Sequence, residues 1–174
     1  RALVGAAPEA LATVRAGVFH ATAVAGSVGV GEAAAERKIL AAHLRSSEKD
    51  LAEHRLVVED MVDRLAPVAT DIKASPEPQV LSLARIQHLE TEIRARVPGD
   101  RHVLDMVAAL HPTPAVCGVP RDAALDLLRS EEPFDRGWYS GPVGWFALDG
   151  DGHFVPALRT AVGDGRTWRL FAGA

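Results

Sequence analysis

Arg159 raises the first chemical question in this sequence, because it stands among Ala157, Leu158 and Ala161 in a stretch that reads as a strand. A guanidinium left unpaired among apolar neighbours is costly, so it must reach solvent, a carboxylate partner or an anionic ligand. Glu53 and His54 stand side by side in SSEKDLAEHRLVVED. Two metal ligands on one helical face need a spacing of three or four, and adjacent residues do not share a face. Glu53 also follows Lys49 by four positions, an exposed pair worth ~0.3 kcal/mol, so a solvated helix face accounts for it as simply as metal chemistry does. His88 falls in an alternating apolar and polar run with no neighbour of ligand type, which suits a satisfied core histidine. Glu9, after Ala7 and Pro8, carries no signal by itself.

Two further segments invite a functional reading. HPTPAVCG, from His111 to Gly118, is stiffened by two prolines and is either a connector between helices or the wall of a pocket; the small Ala115 and Gly118 leave room beside it. DGDG, from Asp149 to Gly152, lacks the further carboxylates and the closing Glu of a calcium loop, so it reads as a hairpin turn.

These groups need elements to position them. Residues 1–27 alternate short apolar runs with Gly and Pro, as strands joined by tight turns do. From Glu32 to Leu65 there is no Gly or Pro, and Leu40, Leu44, Leu51, Val58, Met61 and Leu65 recur near helical spacing. That pattern predicts one long helix or two broken near Ser46. The run PVATDIKASPEPQ reads as a loop, and Val80 to Ile93 as a strand whose last turn ends near Pro98. Asp100 is the expected N-cap of a helix over His102 to Leu110, and a second helix, led by Pro120 and Asp122, runs to about Glu131. The remainder predicts an antiparallel meander of PVGWFAL, FVPALRTAV and TWRLFAG turned at DGDG and GDGR. The fold class is α+β, a largely antiparallel sheet with helices packed outside it.

Composition excludes several classes. A 174-residue chain with 48% apolar residues supports one core, so a single domain is expected. The net charge of −4 and the lack of a basic stripe argue against a nucleic-acid partner. Cys117 is the single cysteine and cannot make an internal disulfide. No signal-peptide pattern or membrane-spanning apolar run accompanies it, so a cytoplasmic protein without a membrane partner is the expectation, and a monomer. The apolar ends, RALVGAA and RLFAGA, lead us to expect flanking residues beyond both.

Taken in order, the segments APE, AVAGS, SEKDLAEHRLV, IQHLETEI, LHPTPAVCGVP, EPFDRGWYSGPVGW and WRLFAGA resemble the chorismate-utilising enzymes over nearly the whole chain. HPTPAVCG followed by EPFDRGWYSGPVGW looks like the isochorismate synthase branch; the anthranilate and aminodeoxychorismate branches carry a Pro-Ala-Gly-Ser/Thr type of loop there. The resemblance implies that residues 1–174 are part of a single chorismate-binding catalytic domain. It further implies an isomerase that converts chorismate to isochorismate: water adds to the ring, the allylic hydroxyl departs, and magnesium holds the ring carboxylate. Isochorismate serves both menaquinone and siderophore synthesis. A salicylate synthase, another chorismate-utilising enzyme and an inactive remnant of the fold are the alternatives.

The same resemblance assigns roles by position. Glu9, in APE, matches the glutamate of a Ser-Pro-Glu motif and would be the general acid; burial or a nearby carboxylate would have to raise its pKa for it to donate a proton near neutral pH. Glu53 matches a magnesium-binding glutamate, and Arg159 the arginine of an Ile-Arg motif that grips a substrate carboxylate. Ala25, Gly26 and Ser27, together with Ala172 and Gly173, match backbone that approaches the substrate; His88 matches a cleft histidine, with Ala115 and Val116 as its wall. Departures accompany these matches. No lysine occupies the Gly-Lys-Val context of the water-activating base, and the second magnesium glutamate belongs after Ala174. Ala7 stands for a serine, Ala23 for a proline and His153 for an acidic residue, and Pro156 implies that the Arg159 strand is bulged or at an edge.

Overall fold

The stretch without Gly or Pro folds as two helices, α1 (Ala34–Ser46) and α2 (Glu48–Leu65), because Ser47 leaves helical geometry and caps the second. Its Oγ accepts from the Asp50 amide at 3.3 Å, satisfying one of the donors that a helix start leaves free. The computed structural model describes residues 1–172. The strands are β1 (Ala2–Gly5), β2 (Ala12–Arg15), β3 (Val18–Gly29), β4 (Thr70–Ala74), β5 (Gln79–Ser82), β6 (Ile86–Arg96), β7 (Pro142–Phe146), β8 (Gly152–Pro156), β9 (Thr160–Gly163) and β10 (Trp168–Phe171). Helices α3 (Val103–Leu110), α4 (Pro114–Cys117) and α5 (Arg121–Glu131) lie between β6 and β7.

Seven strands form one sheet in the order β4-β6-β3-β2-β8-β7, with β5 also on β6, and β1-β9-β10 form a second. Every pairing is antiparallel, so the α+β expectation of an antiparallel sheet with helices outside it holds. One face of the large sheet carries the core. Phe19, Ala21 and Ala23 of β3 and Ile93 and Ala95 of β6 meet the stripe of α2, Val57, Met61 and Leu65, while α3 adds Val103, Met106 and Leu110. The helix residues repeat every three or four positions and the strand residues every second one, the two periods that put a single face inward. Phe19 is 0% exposed. Phe19→Ala is expected to destabilise the protein by about 3–5 kcal/mol through the cavity it leaves, read as a lowered midpoint in urea unfolding.

Several boundaries differ from expectation. The run PVATDIKASPEPQ contains β4, since its prolines at 67, 76 and 78 flank the strand instead of interrupting it. The predicted strand from Val80 to Ile93 is a hairpin, β5 and β6, closed by a hydrogen bond from the Leu83 amide to the Ile86 carbonyl at 2.9 Å. Helix α3 is capped by His102, not Asp100: its Nδ1 accepts from the Leu104 amide, and Asp105 reaches back to the His102 amide at 2.7 Å. HPTPAVCG holds the helical turn α4. The expected Lys49–Glu53 ion pair is not formed; α2 pairs Asp60 with Arg64 at 2.8 Å instead. Finally, FVPALRTAV is two strands in two sheets. Pro156 ends β8 beyond its pairing with β2, where no amide is needed, so it marks neither a bulge nor an edge strand. No single helix among the described residues is long and apolar enough to cross a membrane.

Candidate active site

The strand change at Pro156 is what builds the site. A tight turn, with the Leu158 amide on the Pro156 carbonyl at 2.8 Å, is followed by Arg159 at a φ of 49°, and β9 then starts in the other sheet. Arg159 is therefore not in a strand ladder, which corrects its expected place. The left-handed region costs a residue with a Cβ roughly 1–3 kcal/mol, a strain that surrounding structure must hold. Here the Arg159 carbonyl accepts from the Ala6 amide at 3.3 Å, and its guanidinium reaches His88.

That guanidinium lines a cavity of about 770 Å³ that also receives Glu9 from the β1–β2 loop, Val24 from β3, Ile86 and His88 from β6, and Ala115 and Val116 from α4. Six of the residues singled out in the sequence, Glu9, His88, Ala115, Val116, Arg159 and Ala172, thus share one wall system although they lie up to 163 positions apart. Burial pushes the Glu9 carboxyl up to about 7, while the positive charge of Arg159 opposes that shift. At neutral pH the group therefore exists in both forms, the condition for general acid or base work.

The elevated Glu9 value also sets a pH dependence of stability. A carboxyl whose folded pKa lies above its unfolded one binds its proton more tightly in the native state, so stability is full below the unfolded value. It is lost as pH rises from about 4.5 towards 7. Urea unfolding is expected to show a falling stability across that window, and Glu9→Gln, which carries no charge to bury, is expected to flatten it. An unchanged slope in the variant would assign the loss to another group.

His88, 7% exposed, pairs in register with Ser27, whose Oγ lies 2.7 Å from its Nδ1, and its Nε2 lies 3.2 Å from Arg159 Nη2. Burial first, and then the charge of Arg159, lowers its pKa. Ser27 reaches this face through a β-bulge between Ala25 and Ser27. Gly26 is the inserted residue, at a φ of 78°, and a Cβ there would lie 3.1 Å from the Cβ of Asp50. The extra residue flips the strand parity, so Ser27 leaves the core face of Ala21 and Ala23 and meets His88, without itself lining the cavity. Ala25 and Gly26 themselves do not line the cavity. The Ala25 carbonyl instead accepts from His54 Nδ1 at 3.2 Å, and His54 Nε2 takes the Thr91 hydroxyl at 2.7 Å. His54, which only flanked the residue of interest in the sequence, is thus the buried anchor of the bulge.

Glu53 is exposed on α2 and is not part of the cavity wall. As a carboxylate it suits a hard cation such as magnesium, but the described residues contain no group of three or more His, Cys, Asp or Glu able to hold an ion, so it offers a single ligand. Ala172 lines the cavity, and Gly173 lies outside the described residues. No lysine lines the cavity among those residues.

Sequence reasoning missed the opposite wall. Arg136 clasps Glu132 with two hydrogen bonds, at 2.7 and 2.5 Å, and donates to the Val116 carbonyl at 3.3 Å, while Tyr139 stacks on Phe171 at 4.8 Å. Arg121 Nη2 donates to the His111 carbonyl at 2.6 Å and Arg64 Nη1 to the Pro112 carbonyl at 3.2 Å. Three arginines from α2, α5 and the loop after it therefore fix the backbone that presents Ala115 and Val116. The available signal was the density of Arg and aromatic residues in EPFDRGWYSGPVGW, which pointed to a family branch without assigning side-chain roles.

The family model described as chorismate binding enzyme matches residues 1–174. The salicylate biosynthesis isochorismate synthase of Pseudomonas aeruginosa is 45% identical over 98% of this chain and 36% of its own length. Isochorismate synthase DhbC of Bacillus subtilis is 38% identical over 100% of this chain and 44% of its own length. Among solved structures, MenF, the menaquinone-specific isochorismate synthase of Escherichia coli, superposes with a TM-score of 0.84 at 33% identity, covering 91% of this chain and 36% of that one. The chain thus spans well under half the length of the relatives it matches.

Proposed function

The chain belongs to the family of chorismate-binding enzymes, and from that premise we propose that it supplies the substrate cavity and the general acid of an isochorismate synthase. The observation that carries this reading is the meeting of Glu9, held near neutrality by burial, with the fixed guanidinium of Arg159 in one cavity. The reaction exchanges one hydroxyl position for another on the chorismate ring. Water adds at one ring carbon, the double bond shifts, and the allylic hydroxyl leaves as water once it has taken a proton. Hydroxide leaves poorly, so the proton is the enzyme's largest contribution on that side, and protonated Glu9 donates it from its carboxyl oxygen. Arg159 meets a carboxylate of the doubly anionic substrate with its planar fork and sets the ring's orientation towards Glu9. Ala115 and Val116 form a small apolar wall that excludes surplus water.

Magnesium is proposed with Glu53 as one oxygen donor; because Glu53 stands outside the cavity wall and offers a single ligand, further donors would have to complete the site, and the ion would supply positive charge to a substrate carboxylate. No lysine is among the cavity residues described, and the role proposed for this chain is the acid side of the reaction. A cytoplasmic setting and a monomeric state complete the proposal.

The test is product analysis. The full-length protein, incubated with chorismate and magnesium, is expected to yield isochorismate on chromatography. Salicylate with pyruvate would move the assignment to the salicylate synthase alternative, and no conversion would favour an inactive member of the fold.

A further inference from the structure

His88 sits between two groups of unlike hydrogen-bonding capacity, and that asymmetry determines where its proton lies. Arg159 Nη2, 3.2 Å from Nε2, is a donor only, since a guanidinium has no accepting lone pair. Nε2 must therefore carry a free lone pair, which an imidazolium lacks. The proton is left to Nδ1, which faces Ser27 Oγ at 2.7 Å, an oxygen able to accept it. We infer that His88 is a positioning residue: a neutral imidazole, its Nε2 lone pair kept by the Arg159 donor and its Nδ1 proton accepted by Ser27, that holds the Arg159 guanidinium at its working angle in the cavity.

Three other observations agree. Burial and the nearby positive charge of Arg159 both disfavour the imidazolium and outweigh a backbone hydrogen bond at Gly26 that favours it. The Gly26 bulge is what turns Ser27 towards His88, and the bulge is itself tied to α2 by the His54 bond to the Ala25 carbonyl. Arg159 occupies a strained backbone conformation, so its side chain needs an independent anchor to keep one orientation. Glu9, Glu132, Arg136, Tyr139, Arg159 and Arg169 are the titratable groups that line the cavity with His88, and of these Arg159 is the one that bonds to the imidazole.

This inference rests on the proposed role of Arg159 in binding a substrate carboxylate, and its test separates the two. In the full-length protein without substrate, the imidazole nitrogens of His88 are expected to show, by nitrogen-15 NMR at neutral pH, a protonated Nδ1 and a pyridine-like Nε2. Ser27→Ala, which leaves the Arg159 donor on Nε2, is expected to keep that tautomer, and Arg159→Ala is expected to release it. The opposite tautomer or an imidazolium in the unaltered protein would overturn the inference, whatever the substrate proves to be. Kinetically, His88→Ala is expected to raise KM for chorismate about tenfold with kcat little changed, the loss of one charge-assisted hydrogen bond. In a background of Arg159→Ala it is expected to add nothing, because the two act as a unit. His88→Gln, which keeps an acceptor near the Nε2 position, is expected to recover most of the affinity. Additive effects in the double variant, or no recovery by Gln, would show that His88 works independently of Arg159.

Discussion

Glu9→Gln in the full-length enzyme is expected to cut the rate of isochorismate formation by roughly 100- to 10,000-fold, the range that a positioned general acid contributes, while chorismate binding changes little. Gln keeps the size of the side chain and a hydrogen-bonding tip but cannot give up a proton at any working pH. The cavity wall is thus preserved and only the protonation of the leaving hydroxyl is lost. Turnover numbers from steady-state kinetics, with binding measured separately by equilibrium dialysis, distinguish the two. A loss of affinity with unchanged kcat would mean that Glu9 is a binding group and that another residue supplies the proton.

The pH profile sharpens this expectation. An acid must be protonated to act, and burial holds Glu9 up to about 7. The rate is therefore expected to fall as pH rises through that value, with the descending limb absent from what little activity Glu9→Gln retains.

Arg159→Ala is expected to lower kcat/KM for chorismate by about 10- to 150-fold, corresponding to roughly 1.5–3 kcal/mol for hydrogen bonds to a charged group, chiefly through KM. A second effect identifies the mechanism. The charge of Arg159 holds the Glu9 pKa down against burial, so its removal is expected to carry the descending limb of the pH profile to higher pH. A bystander arginine would leave that limb in place. Arg159→Lys is expected to restore part of the Glu9 effect, since it returns a charge, but less of the KM, since an ammonium lacks the planar fork.

How much of this was legible in the sequence depended on the range of the interactions. The hairpins at DGDG and GDGR were readable because Asp-Gly turns are specified locally. In the folded chain Asp149 Oδ1 accepts from the Asp151 amide at 3.2 Å, and Asp164 Oδ1 from the Arg166 and Thr167 amides at 3.0 Å. The division of the long helical stretch at Ser47 was equally local. The β5–β6 hairpin was hidden because Leu83 to Arg85 contains no Gly or Pro and the alternation runs through the turn unbroken. Histidine seldom fills a cap position, so the role of His102 has no sequence signal and rests on its bond to the Leu104 amide.

The site residues divide the same way. Glu9 was unremarkable by its own neighbours and acquired a role only through resemblance, because the burial that raises its pKa comes from residues far along the chain. Arg159 was flagged by physics, a charge among apolar residues, yet its strand assignment failed because a change of sheet at Pro156 leaves no periodic trace. Ser27 would fall on the core face by simple counting, and a single inserted glycine reverses that. Ala25 and Gly26 shape the site from behind, and Glu53 stands apart from the cavity wall.

The most direct measurement is a carbon-13 NMR titration of the Glu9 side-chain carboxyl in the full-length protein, assigned by comparison with Glu9→Gln. A carboxyl that titrates near 7 is expected, as burial in this cavity requires. A carboxyl titrating near the ordinary value of 4.5 would be fully ionised at neutral pH, and Glu9 could not then be the acid that protonates the departing hydroxyl.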